Sequence, residues 1–443
     1  MKKFIITLLI IGLLPCMAVA DEIPVPLNAN VALLCDMHTG RVLCEKNGSK
    51  TINASNLTKI MTAIVVISQN KATEMTKINP TTLRALPTGA TTNGLIANEQ
   101  VSTTDLLYMM LLHNADDAAA VLAEHVAGST EKFVVMMNAS AKQLGTEQTH
   151  FVNVHGFYDE AQTTTARDLA RIASHAMQLP VFAAIVAKQT YQVPPSNLYN
   201  KPRYLSNDNM LVNHFKITSG ENFFYSSAVG IKTSYNKTSG FSIVSAINKK
   251  NQSYLTILAD YAANSLKSAM YMDAKRLSEY GITGYVNKQL TAQGAFADEV
   301  QVKYASDGKR LLLLTEKELE VLLPKTYDAK LITKQPIYAT PLKAPLNKGQ
   351  VVGVLQYAYN NQPLGQVNLV TSQAVKYSLI ATIFSPFQKI FHSRLIRFLG
   401  VAFAIILIFL YFRIKENTRR KRMMSKRRNR VLKSDKYRGG HEG

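Results

Sequence analysis

The sequence is poor in residues that build metal or redox centres. It has nine histidines and three cysteines, and none of them falls into metal-ligand spacing, so neither a metal site nor a cofactor is indicated. Acidic residues are also short: 30 Asp and Glu stand against 51 Lys and Arg, a net charge of +21. That excess resembles a nucleic-acid binder until it is located. From Arg413 onward thirteen Lys and Arg face three acids, so about half of it sits in one tail. A basic tail beside an apolar run reports membrane topology more simply than nucleic-acid binding. The apolar fraction, 47%, is ordinary for a globular chain, and 443 residues leave room for two or three domains.

What is present begins with an export pattern. Lys2 and Lys3 precede an apolar run from Phe4 to Leu14, and Ala18-Val19-Ala20 offers a small-residue cleavage site before Asp21. Residues 1–20 therefore read as a signal peptide, discarded together with Cys16. Cys35 and Cys44 remain, on two predicted strands, Val31 to Asp36 and Arg41 to Glu45. In an exported protein they pair as a disulfide or stand as two buried thiols, and the unfixed strand register leaves both readings open. At the other end Leu395 to Phe412 is apolar apart from Arg397. Its fifteen uninterrupted residues from Phe398 cover about 22 Å. That is short for a ~30 Å hydrocarbon core, but flanking arginines snorkel. Residues 395–414 are read as one membrane span and residues 415–443 as a cytoplasmic tail.

The chain is organised around I-N-A-S-N-L-T-K-I-M-T, Ile52 to Thr62. Leu57, Ile60, Met61, Ile64 and Val65 recur at helical spacing, so Lys59 projects from the first turn of an inward-facing helix. A buried lysine beside a hydroxyl is one way to activate a serine. Ser55 precedes the helix and suits its N-cap. This segment resembles the first signature, S-x-x-K, of the low-molecular-mass penicillin-binding proteins, the serine-type D-alanyl-D-alanine carboxypeptidases. Glu45-Lys46-Asn47 stands at the family's usual distance from it, which aligns Asn56 with the nucleophilic serine. An amide cannot serve as that nucleophile. Ser55 lies one residue back, rotated by about 100° and shifted by about 1.5 Å.

Two further signatures resemble the family with substitutions. In L-L-H-N-A-D-D-A, Asn114 takes the place of the serine of S-G-N-D-A, Ala115 of the glycine and Asp116 of the asparagine. In G-I-K-T-S-Y, Lys232 and Thr233 of a K-T-G strand are kept and Ser234 replaces the glycine, whose absent side chain lets a substrate backbone approach. His155-Gly156 matches a structural loop of the family, against a general-base reading for His155. A-P-L-N-K-G-Q-V-V-G from Ala344, with alternating apolar positions from Val351 to Tyr357, looks like the family's C-terminal β-module.

The transmembrane helix departs from the family, whose module ends in a helix that lies on the membrane. For the rest, the resemblance implies an α+β architecture: a penicillin-binding/β-lactamase-like transpeptidase domain of antiparallel sheet plus helical lobe over residues 24–290 and a small β-rich domain over residues 295–374. It implies peptidoglycan stem peptides ending in D-Ala-D-Ala, or β-lactams, as ligands. By the positive-inside rule the basic tail after the span is cytoplasmic, which places the N-terminal domains on the outer face of a bacterial plasma membrane. In the family the serine attacks, the lysine at the Lys59 position activates it, the second serine aids proton transfer and the K-T-G strand holds substrate. With Asn56, Asn114 and Ser234 at those positions, three readings stand: a carboxypeptidase-like pseudoenzyme, an enzyme working through Ser55 and Lys59, or a non-catalytic envelope interaction protein. If the lobes pack as in the family, Asp116 lies between Lys59 and Lys232.

Overall fold

The computed structural model describes residues 21–438 apart from 70–73, 215–219, 250–251, 263, 307–309, 339–340, 380–381 and 383–393. The signal-peptide reading lies outside the described residues.

A six-stranded sheet carries the N-terminal domain. Its order is Asp21–Glu22, Val42–Lys46, Val31–Asp36, Gln252–Ala259, Gly240–Lys249 and Ala228–Asn236. All neighbours are antiparallel except the short first strand, which runs parallel to Val42–Lys46. Val31–Asp36 is central and buried along its whole length, which is why it reads as a continuous apolar run and does not alternate. Cys35 packs into the core on one face and Cys44 into the core on the other. Successive side chains of a strand point to opposite faces, and both cysteines stand as buried thiols. Of the two open readings the structure takes the thiols.

The helical lobe covers one face with α1 (Thr58–Ser68), α2 (Pro80–Arg84), α3 (Thr103–His113), α4 (Asp116–Ala127), α5 (Thr130–Gln143), α6 (Ala166–Met177) and α7 (Pro180–Val186). Ser102 Oγ accepts the Asp105 N–H and caps α3, as the S-T-T-D pattern requires. The other face is covered by α8 (Lys267–Gly284), whose Met270, Tyr271, Ala274 and Leu277 enter the second core. A hairpin of Thr190–Val193 and Arg203–Ser206 packs on α3 outside the main sheet.

The C-terminal module holds a five-stranded antiparallel sheet over its own apolar cluster, built around Leu311, Leu313, Leu355 and Leu369. Asn360 and Asn361 both take positive φ, 48° and 63°, in the two-residue turn joining Val351–Tyr359 to Gln362–Thr371. That geometry favours asparagine and matches the twist of the strands. Arg41 donates to the Leu322 carbonyl and so ties the module to the main sheet.

One helix runs from Arg394 to Arg438. Among the described residues no single helix is long and apolar enough to cross a membrane; side chains 391–401, where the apolar run begins, lie outside them. From Phe403 to Phe412 the large apolar side chains of this helix are all exposed.

Candidate functional site

Lys59 enters the site from α1, which begins after a short 3-10 turn over Ser55–Leu57. The side chain is wholly buried. Its ammonium has three protons, and three acceptors surround it: Asn56 Oδ1 at 3.0 Å, Asp116 Oδ1 at 2.6 Å and the His155 backbone carbonyl. Burial lowers the Lys59 pKa while the Asp116 carboxylate works against that shift. An amine acting as base needs a lone pair aimed at a hydroxyl. Here every direction from Nζ ends on an acceptor that has no proton to give.

Asp116 is the first residue of α4, where a carboxylate also meets the positive end of the helix. Its second oxygen accepts the Thr91 N–H at 2.8 Å, so the carboxylate bridges Lys59 to the loop ahead of α3. Asn114 ends α3 in the left-handed conformation with φ 55°, a place asparagine tolerates. Its Nδ2 donates to Asp208 Oδ2 at 2.8 Å, away from Lys59.

Lys232 is buried too and makes no hydrogen bond to Asp116, although the charge of that carboxylate acts on it. It donates to the Met110 and Leu111 carbonyls, at 3.3 and 2.5 Å, near the end of α3. Burial pushes its pKa down to about 7, with Asp208 opposing and Lys59 reinforcing the shift. Asp116 thus acts on both lysines, as expected, but its hydrogen bond goes to Lys59 while backbone carbonyls serve Lys232.

Ser55 departs further from expectation. It is not an N-cap: Ala54 and Leu57 hold the cap positions, with no side-chain capping bond at either. Ser55 takes φ 42°, and its Oγ donates to Asn53 Oδ1 at 2.9 Å and lies 3.0 Å from Ser239 Oγ. The displaced-nucleophile pairing with Lys59 is therefore not made. Asn56 takes the place beside Nζ.

Ser234 has a role that sequence reading missed. Its hydroxyl accepts the backbone N–H of Asn56 at 3.1 Å. In acyl transfer a backbone N–H beside the attacked carbonyl must be free to receive the oxyanion. At this position that donor is already engaged. Thr233, the middle of the K-T-S triplet, is buried with its neighbours on strand Ala228–Asn236.

His155 contributes through its backbone. Its ring is held largely neutral, with a pKa pushed down to about 4 by burial, and its Nδ1 accepts the Phe157 N–H. Gly156 follows at φ +84°, where an added Cβ would lie 2.0 Å from the Ser55 carbonyl oxygen. No sequence signal marked Asp208 or Ser239, because neither falls inside a signature.

Residues 17–262 match the peptidase family described as D-alanyl-D-alanine carboxypeptidase. The chain belongs to that family. Residues 285–377 match the C-terminal domain of penicillin-binding protein 5. D-alanyl-D-alanine carboxypeptidase DacF of Bacillus subtilis is 24% identical over 79% of this chain and 86% of its own length. DacC of Escherichia coli is 25% identical over 79% and 84%. The crystal structure of penicillin-binding protein 5 from Haemophilus influenzae, 25% identical, superposes with a TM-score of 0.65 over 80% of this chain and 99% of that one. The carboxypeptidase framework is therefore complete from sheet to C-terminal module, and the expected fold of those two domains is the fold found. Among the described residues no cluster of three metal-ligating side chains occurs.

Proposed function

We propose that this chain is a carboxypeptidase-fold protein of the bacterial envelope that keeps the peptidoglycan-facing framework and has lost the cleavage of D-Ala-D-Ala. The observation that carries the reading is the Lys59 ammonium, whose protons go to Asn56, Asp116 and the His155 carbonyl, leaving neither a base nor a nucleophile. The engaged Asn56 N–H supports it independently. Loss of a serine nucleophile from a comparable catalytic set costs on the order of a millionfold in turnover. Asn56 and Asn114 are half-buried, and in this reading the protein binds a stem peptide without cutting it.

The reading includes an anchor. Residues 395–414 cross the plasma membrane once, with the folded domains outside and the basic tail from Lys415 within. Its support is the exposed apolar row from Phe403 to Phe412 followed by the positive charge. Nucleic acid is not a partner in this reading.

The test is labelling of the full-length protein with a fluorescent penicillin, alongside release of D-alanine from a peptide ending in D-Ala-D-Ala. The expected result is neither adduct nor product. Stoichiometric labelling of the natural protein, abolished by Ser55→Ala, would overturn the proposal in favour of a displaced nucleophile.

A further inference from the structure

Three short segments of the C-terminal module bring three lysines together. Lys303 and Lys343 face each other across a parallel bridge, where the Lys303 N–H donates to the Leu342 carbonyl and the Ala344 N–H to the Lys303 carbonyl, both at 2.9 Å. The third segment joins through Leu346 and Val375, whose backbones exchange two hydrogen bonds, and it carries Lys376. Val302, Ala344 and Leu346 lie in the apolar cluster of the module, with Val375 packed against it. Their neighbours Lys303, Lys343 and Lys376 are all exposed. In a regular strand Lys303 and Ala305 would share a face. Tyr304, at φ 60°, breaks that alternation, so Ala305 is buried while Lys303 stays outside.

This arrangement is unfavourable by itself. Facing residues on neighbouring strands stand about 5 Å apart, and like charges so placed repel. Residues 302–306, 341–346 and 372–378 contain no Asp or Glu, and the next two charges along the chain, Asp307 and Lys309, cancel. Among the described residues none of the three ammoniums forms an ion pair. Beside them the surface turns aromatic and apolar. The rings of Tyr304 and Tyr377 have centroids 6.4 Å apart, and Tyr377 is 44% and Leu379 70% exposed.

We propose that this edge of the module docks on the phosphates of anionic phospholipids, in the bilayer that holds the C-terminal helix. Lysines near such a surface are drawn to it, and tyrosines settle at headgroup level, where one end of the ring is wet and the other apolar. The position in the chain fits the partner. The helix begins at Arg394, at most about 50 Å of extended chain beyond Leu379, and its exposed apolar row follows. The protein then meets the membrane through a folded surface as well as a helix, and the module is held in one orientation. The inference rests on the anchor of the proposed function for proximity alone, and not on the loss of catalysis.

The test is amine footprinting of the full-length protein with a membrane-impermeant acylating reagent, read lysine by lysine by mass spectrometry. The protein is compared in nanodiscs of phosphatidylcholine and of an equal mixture with phosphatidylglycerol. Lys303, Lys343 and Lys376 should acylate at least about fivefold more slowly on the mixed discs, and Lys201 of the N-terminal domain equally on both. High salt should remove the difference. With Lys303→Gln and Lys343→Gln together, the protection of Lys376 should disappear; with Lys303→Arg and Lys343→Arg it should persist. Co-elution with the neutral discs reads the anchor separately, because a span needs no anionic lipid. The proposal is overturned if the three lysines acylate alike on both discs, whether or not the protein enters them, or if the double Gln variant keeps Lys376 protected. It is also overturned if inorganic polyphosphate, added to the protein in zwitterionic detergent, protects as well as the mixed discs, which would make the edge a site for a soluble polyanion.

Discussion

Removing the Asp116 carboxylate tests whether its buried pair with Lys59 holds the domain together. In the native protein Asp116 Oδ1 lies 2.6 Å from Lys59 Nζ, with the two side chains 7% and 0% exposed. Asp116→Ala leaves the ammonium with two neutral acceptors in a site closed to water. It also leaves the Thr91 N–H without its carboxylate. Breaking a buried pair by deleting one partner costs about 3–5 kcal/mol, and the orphaned N–H adds about 1 kcal/mol. At roughly 2–4 °C per kcal/mol for a domain of this size, the melting temperature should fall by at least about 8 °C. The companion change, Lys59→Met in the Asp116→Ala background, removes the stranded charge and replaces it with volume. Replacing a whole buried pair by apolar side chains is often neutral or better, so the double variant should recover most of the loss. Circular dichroism melts of the four proteins give the coupling energy directly. A fall of less than about 2 °C for Asp116→Ala, or single-variant losses that simply add, would show that the pair does not hold the lobes together.

Other expectations follow from the same geometry. Asn56→Ser alone should label poorly with penicillin, because Ser234 still occupies the Asn56 N–H; Asn56→Ser with Ser234→Gly should label measurably faster, and equal rates would remove the proposed role of Ser234. Lys232 has a folded pKa near 7 against an ordinary value near 10.5, so the unfolded chain binds the extra proton between those limits. Stability should therefore rise as pH goes from about 7 toward 10, and Lys232→Met should show a smaller rise than the natural protein when urea midpoints are compared, Lys59 supplying the remainder. Gly156→Ala should destabilise by more than about 2 kcal/mol, from a positive φ and a Cβ against the Ser55 carbonyl, as read by the same midpoints.

The parts legible in the sequence are those that local pattern specifies. The S-T-T-D start of α3, the Asn360-Asn361 turn and the buried run Val31–Asp36 each carry their structure in a few adjacent residues. The alignment of Asn56 with the position beside Lys59 was also legible, because a helix fixes i to i+3 geometry. What could not be read were contacts across long separations. Ser55 has a free rotor and a choice of partners, and only the folded chain brings Ser239 to it across 184 residues of sequence. Asp116 was placed between Lys59 and Lys232 by the family's lobe packing, which does not say which partner each ammonium hydrogen-bonds. In the fold two helix-end carbonyls with no partners further along α3 take Lys232 first. The cysteines were ambiguous because one residue of register exchanges the two faces of a sheet.

On the proposed reading, the bond between Ser234 and the Asn56 backbone makes the loss of cleavage hard to reverse. A site lacking only its nucleophile would regain it through one codon. Here a serine placed at 56 meets an amide N–H already engaged by Ser234 and a lysine already paired with Asp116, so repair takes more than one change, and the substitutions together act as a ratchet.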